Sequence, residues 1–172
     1  VEVLLLHERI DEWMIGYLAE YEGKKLRNIA KGELGAAELG ESAGEEAKQE
    51  DIAKASEGLI EKLKAVLGER VADVRVSQRL TDSPACLVLA EYDMALHMQR
   101  LLKAAGHEVP AARPTLEINP AHPLLVRLDA EADAARRDDL GLLLFEQAQL
   151  AEGAQLDDPA DFVRRMNALL LG

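Results

Sequence analysis

The stretch from Lys31 to Ser56 limits this chain more than any other feature. Gly32, Gly35, Gly40 and Gly44 punctuate it, Ala and Glu fill it, and its large apolar residues shrink to Leu34, Leu39 and Ile52. Such a segment has little to bury and reads as a linker with a solvated acidic surface. It divides the chain into a leading piece, residues 1–40, the linker and helix start at residues 41–56, and a trailing domain at residues 57–172. The leading piece is too small to bury a core of its own. The sequence opens at Val1 inside an apparent strand, so this piece is expected to be the end of a larger domain.

The leading piece reads as a small α/β stub. Val1–Leu6 is an apolar run of strand length. Ile10, Trp13, Met14, Tyr17, Leu18 and Tyr21 then recur at helical spacing, which predicts an amphipathic helix over Arg9–Glu22 stopped by Gly23. Lys24–Ala30 is a candidate second strand.

In the trailing domain, Ile52, Ala55, Leu59, Ile60, Leu63, Val66 and Leu67 form one apolar stripe of a helix starting from about Glu45, with Gly68 placed as its C-terminal cap. Val71–Arg79 alternates in polarity, Thr81-Asp82-Ser83-Pro84 is a turn cluster, and Ala85–Leu89 is a short apolar run. Together they predict a hairpin. Leu116 and Ile118 mark a third strand over Thr115–Asn119. A helix at Tyr92–Ala105, ending at Gly106, separates the second and third strands. Asn119-Pro120 and Asp158-Pro159 both have the form of a cap residue followed by proline at the first helical position. The first precedes Leu124, Leu125 and Leu128, and a long helix is expected from about Ala130 to Ala151. The second opens a last helix with Phe162, Met166, Leu169 and Leu170 on one face. The expected fold is α+β: a mostly helical domain with a small, about three-stranded sheet and a final helical hairpin.

Composition narrows the function. Aromatic residues are 3% of the chain, so aliphatic side chains and Met must fill the core, and the formal net charge is −12. A charge of that sign opposes binding to nucleic acid or an anionic membrane, since phosphate recognition requires clustered Lys and Arg. Apolar runs such as Leu140–Phe145 are far shorter than a membrane span. No signal peptide is visible, and Cys86 is the one cysteine. These features lead to an expected cytoplasmic location.

Chemistry-bearing motifs are scarce. His7, His97, His107 and His122 show no metal-ligand spacing, and one cysteine cannot build a structural zinc site. The glycines and serine of Gly35–Ser42 imitate a phosphate-binding loop, but Glu41 stands where a lysine is required. Cys86 sits in an apolar run and reads as a small buried hydrophobe. No catalytic, cofactor-binding or metal-binding residue is assigned, and the chain is expected not to be an enzyme.

Two apolar faces stand out. Met94, Met98, Leu101 and Leu102 share one side of the Tyr92–Ala105 helix. Methionine is flexible and polarizable, and is over-used where varied partners bind. The last two helices form a hairpin joined by a short turn near Gly153–Asp158. A hairpin buries one face against its own domain, and two related by a two-fold axis make an intermolecular four-helix bundle. Leu142, Leu143, Phe145, Leu150, Phe162, Met166, Leu169 and Leu170 are the candidate dimer residues. An intramolecular core built from the same residues stays open at this point.

Four strings, in order, carry a family resemblance. Val3-Leu-Leu-Leu-His-Glu-Arg-Ile-Asp-Glu-Trp13-Met resembles the end of the middle domain of heat-shock-ninety (HtpG-type) chaperones. Arg79-Leu-Thr-Asp-Ser-Pro84-Ala-Cys resembles a strand turn of their C-terminal domain. Leu116-Glu-Ile-Asn-Pro120-Ala-His-Pro123-Leu resembles that domain's most recognisable motif. Asp158-Pro-Ala-Asp-Phe162-Val-Arg-Arg-Met166-Asn-Ala-Leu-Leu resembles the closing dimer helix. The resemblance implies a V-shaped homodimer held together by these domains, and unfolded or partly folded client proteins as partners. It implies client contact by Met94, Met98, Leu101 and Leu102, with Glu12 and Trp13 matching a second client-contact patch. ATP and Mg belong to the full-length family protein, whose nucleotide machinery lies in domains outside this chain, so no cofactor is expected here. The ending Leu170-Leu171-Gly172 lacks the acidic pentapeptide by which eukaryotic cytosolic members recruit co-chaperones, so that partner class is not expected. The alternative is a structural dimerisation adaptor whose Met helix is buried and binds no client.

Overall fold

The computed structural model describes residues 4–5, 11–18, 20–26, 50–90, 102, 106 and 113–171. In the leading piece, helix α1 (Asp11–Tyr17) is followed by a minimal hairpin, β1 (Glu20–Tyr21) against β2 (Lys24–Lys25). Glu22 and Gly23 both have positive φ, 48° and 78°, the pattern of the tight turns that match strand twist. The helix is therefore shorter than its periodicity predicts. Gly23 turns a hairpin instead of capping a helix, and Tyr21 belongs to a strand. Leu4 and Leu5, inside the expected first strand, are exposed and in no regular element.

Residues 50–55 are helical and lead through Ser56 into α2 (Glu57–Leu67). Ser56 Oγ and Ser56 N both donate to the Ile52 carbonyl, at 2.8 and 3.0 Å. A serine that bonds back to the carbonyl four residues earlier bends a helix, and the backbone at Ser56 departs from helical values there. Beyond the bend, Leu59, Leu63 and Leu67 are buried, whereas Ile52 is exposed. Gly68, with φ of 52°, ends α2 and sends its N–H to the Lys64 carbonyl, as its position predicts.

A 3-10 turn (Gly68–Arg70) leads into a three-stranded sheet of β3 (Asp73–Val76), β4 (Ala85–Val88) and β5 (Thr115–Ile118). Its order is β3-β5-β4, with β5 parallel to β3 and antiparallel to β4. The expected hairpin between the first two strands does not form, because β5 is inserted between them. β5 suits the centre: Leu116 and Ile118 are wholly buried on one face, and Glu117 is buried on the other.

Helix α3 (Pro123–Ala130) begins one turn later than Asn119-Pro120 suggests. Asn119 Oδ1 accepts from Ala121 N in a turn, and the cap is His122, whose Nδ1 accepts from Leu124 N at 3.2 Å. Proline still occupies the first helical position, but it is Pro123. Helix α4 (Ala134–Ala151) is capped by Asp133, which accepts from Arg136 N at 3.0 Å. This cap interrupts the long helix expected from Ala130. Helix α5 (Pro159–Leu171) starts as expected, with Asp158 Oδ1 accepting from Asp161 N at 2.9 Å.

α4 lies against both β4 and α2, and α5 lies against α4. Gly141 permits the close approach of α4 to α2, since a Cβ there would stand 3.3 Å from Leu63 Cδ2. The core joins Leu59, Leu63 and Leu67 of α2 to Leu116 and Ile118 of β5, Leu125 and Leu128 of α3, and Leu144, Phe145 and Ala148 of α4. Phe145 is its one aromatic member among the described residues.

Candidate functional site

The face of α4 and α5 that the subunit does not cover is the candidate site. The two helices reverse direction at Gly153, whose φ is 72°. Gly153 N donates to Leu150 O at 3.0 Å and Ala154 N to Gln149 O at 2.9 Å, which satisfies the last carbonyls of α4. The Asp158 cap then fixes where α5 starts. Short stops at both ends of a turn leave the two helices little freedom except to lie antiparallel.

α5 has buried very little. Among its residues, Arg165 alone is buried; Phe162, Met166 and Leu169 are half-buried. Val163, Leu170 and Leu171 stand 45%, 76% and 89% exposed. Met166, Leu169 and Leu170 line an apolar cleft with Leu140, Leu143, Leu144 and Gln147 of α4 and with Leu124, Arg127 and Leu128 of α3. The candidate dimer residues therefore divide. Leu143 and Phe145 are buried inside the subunit, and Leu142 is half-buried against the core. Leu150, Leu169 and Leu170 keep apolar surface available. Leu124 and Arg127 of α3 belong to the same cleft and were not marked by the hairpin pattern. The signal for them is Leu124 itself, half of a leucine pair in which only Leu125 is buried.

One charged cluster lies between α4 and α5. Arg165 donates to Glu146 of α4 and to Asp161 of its own helix, and Arg164 Nε donates to Asp161 at 3.0 Å. The hydrogen bond from Arg164, with help from Arg165, holds the Asp161 carboxyl below the usual carboxylate range. Burial alone would lower the affinity of Arg165 for its proton. Glu146, Asp161 and Asp139 outweigh it, so the guanidinium is held charged.

A second cluster closes the outer face of the sheet. Glu117 of β5, 3% exposed, accepts from Arg75 Nη2 at 3.0 Å, Arg79 Nη2 at 3.2 Å and Ser77 Oγ at 2.9 Å, and Arg79 Nε stands 2.9 Å from it as an ion pair. Cys86 Sγ lies 3.9 Å from the same carboxylate. Burial and the Glu117 charge push the Cys86 thiol up to about 11. Cys86 is half-buried, where its apolar run suggested full burial, and the raised thiol makes it a poor nucleophile. The cluster ties β3, β4 and β5 together.

Of the expected client-binding residues, Glu12 and Trp13 lie on α1, but their side chains are outside the described residues. Met94, Met98 and Leu101 are also outside them; Leu102 is helical and half-buried, and Gly106 has a φ of 82°. Among the described residues, no group of His, Cys, Asp and Glu is arranged to hold a metal ion, and no helix is long and apolar enough to cross a membrane.

The family described as Hsp90 protein matches residues 1–171. The chain is 54% identical over 172 residues to the chaperone protein HtpG of Halorhodospira halophila, covering 100% of this chain and 27% of that protein. It is 54% identical to the HtpG of Methylococcus capsulatus (99% of this chain, 27% of that protein) and 50% identical to that of Chromobacterium violaceum (99% and 27%). The chain thus spans about a quarter of the length of these relatives, and over that span it belongs to the Hsp90 protein family.

Proposed function

We propose that this chain is the dimerising C-terminal part of an Hsp90-family chaperone, joined to the end of the preceding domain. Two copies pair their α4–α5 hairpins into a four-helix bundle. The helix expected over residues 92–105 offers Met94, Met98, Leu101 and Leu102 to unfolded client proteins. Glu12 and Trp13 supply a second contact patch for the same clients. In this assignment the chain takes no part in ATP hydrolysis and works in the cytoplasm.

The observation that carries the dimer is α5. A helix whose leucines and valine remain half or wholly exposed, beside a cleft lined by more leucines, has apolar surface without a partner in its own subunit. Burying an aliphatic side chain stabilises by roughly 1.5–3 kcal/mol. Val163, Leu150, Leu170 and Leu171 on each of two copies supply burial of the size that offsets an association cost of about 4–15 kcal/mol. The names of the relatives, chaperone protein HtpG, support the chaperone assignment.

Light scattering across a concentration series tests the dimer. The chain is expected to run as a homodimer, and Leu170→Glu with Leu171→Glu, at the most exposed leucines of α5, is expected to give monomer of unchanged helix content. A wild-type monomer at micromolar concentration would sink the proposal. Met98→Lys with Leu102→Lys is expected to weaken capture of an unfolded protein without altering dimerisation. Unchanged capture would leave the structural adaptor, in which the same helix is buried. Slow amide exchange across residues 94–105, as deep as that of the core, would point the same way.

A further inference from the structure

The face that α5 turns toward α4 is not wholly apolar. Phe162, Met166 and Leu169 lie on it, and Arg165 lies among them, 7% exposed and bonded to Glu146 across the helix pair. This arrangement is a poor device for stability. Arg165 Nε and Glu146 Oε2 are both closed to solvent and lack a hydrogen-bond partner. A buried ion pair with unsatisfied atoms gains little over apolar side chains of the same volume, and often less than nothing. The best-attested use of such a group is to specify register.

Register is what the apolar residues here leave open. α4 presents Leu140, Leu143 and Leu144 in succession, and α5 presents Met166, Leu169 and Leu170. Sliding α5 by one turn would still set aliphatic against aliphatic. It would not still set Arg165 against Glu146, and the guanidinium would be left buried without its partner on α4. We propose that Arg165 is a positioning residue: it fixes the register of α5 on α4, and so fixes which apolar side chains are presented to a second copy of this chain. The proposal rests on the homodimer inferred above and adds how its seam is defined. Asp161, which Arg164 also holds, keeps the free end of the guanidinium aimed along α5.

The test uses the whole chain and separates fold from association. Arg165→Met removes the cation and leaves Glu146 buried, so both thermal stability and dimerisation are expected to fall. Arg165→Met with Glu146→Leu removes the pair. Its melting temperature is expected to return to the wild-type value or above, while its dimer dissociation constant stays at least tenfold weaker or the population spreads over several oligomers. A double variant that recovers its melting temperature and dimerises as tightly as wild type would overturn the proposal and leave the homodimer standing. A wild-type chain that is monomeric at every concentration would overturn both. Arg165→Lys covers a double variant that fails to fold. A lysine keeps the charge but lacks the planar fork that reaches Glu146 and Asp161 from two separate nitrogens, so dimerisation is expected to weaken severalfold with unchanged helix content. Wild-type dimerisation by that variant would also overturn the proposal.

Discussion

Helices α2 and α5 carry similar one-sided apolar stripes, yet their surroundings are opposite. On α2, Leu59, Leu63 and Leu67 meet the sheet and α4, and all three are buried. On α5, Val163, Leu170 and Leu171 face outward and only Arg165 is buried. The stripes do not explain the difference; the available surface does. α2 lies where β3, α4 and Gly141 supply an apolar wall on more than one side. α5 lies chiefly against α4, which also packs on β4 and α2, and it reaches α3 only across an apolar cleft. Amphipathicity says that a helix face seeks cover. It does not say which molecule supplies it.

The largest effect should come from the closed region. Glu117→Ala removes the carboxylate shared by Arg75, Arg79 and Ser77 at the centre of the sheet. Breaking a buried ionic cluster by deleting one partner costs about 3–5 kcal/mol, and urea unfolding should register a loss of that size. A loss below about 1 kcal/mol would mean that the outer sheet face is wetter than its burial indicates. Next comes a matched pair. Leu63→Ala empties a site that is 1% exposed and should cost about 2–5 kcal/mol of protomer stability. Leu170→Ala trims a side chain that is 76% exposed and should change protomer stability by less than about 0.5 kcal/mol, while weakening the proposed dimer. Equal costs for the two would erase the distinction between the helices.

What could be read in advance follows from the range of each interaction. The Asp158-Pro159 start and the Gly68 stop are settled within a few residues, and both stand where the sequence indicates. Asn119-Pro120 has the same local form but misleads by one turn. The Asn119 side chain is used in a turn, and His122 can cap because an imidazole nitrogen accepts as well as a carboxyl oxygen. The interruption at residues 131–133 contains neither Gly nor Pro, so nothing in its composition announces it. The insertion of β5 between β3 and β4 was not legible, because pairing across some forty residues is decided by which strand can be buried on both faces. Even there a hint existed: Glu117 between Leu116 and Ile118 needs cations opposite it, and Arg75 and Arg79 are spaced to supply them from β3 and the turn that follows. At the candidate site the stripe Phe162, Met166, Leu169 was visible. Arg165 was not, since a charged residue is ordinarily assigned to the solvent side.

A smaller effect concerns how firmly α5 is anchored at its start. Asp158→Ala deletes the acceptor for Asp161 N, and loss of such a cap costs about 1 kcal/mol. If α5 is held chiefly by a second copy, the loss should appear only at concentrations where the chain is dimeric, because in a lone protomer the helix is unanchored with or without its cap. If α5 is held by its own subunit, as α2 is, the loss should be the same at every concentration. Thermal melts of wild type and variant at two well-separated concentrations decide between these outcomes.

The smallest expected effect tests the closed region by chemistry instead of stability. Burial and Glu117 raise the Cys86 thiol from 9.0 to about 11, so the folded chain holds that proton more tightly than the unfolded chain does. The stability contributed by the protonated thiol is fully present below about pH 9 and is lost as pH rises from there toward 11. At neutral pH nothing changes in the fold, but reactivity does, since the thiolate is the attacking species. At pH 8 the folded chain should carry a thiolate fraction roughly a hundredfold smaller than the urea-unfolded chain, and iodoacetamide should label it correspondingly more slowly. Glu117→Gln should speed labelling of the folded chain, because it removes the negative charge beside the sulfur. Equal labelling rates in folded and unfolded chains would show that the sheet is not closed over Cys86. The contrast with α5 would then lose the half of it that rests on the sheet.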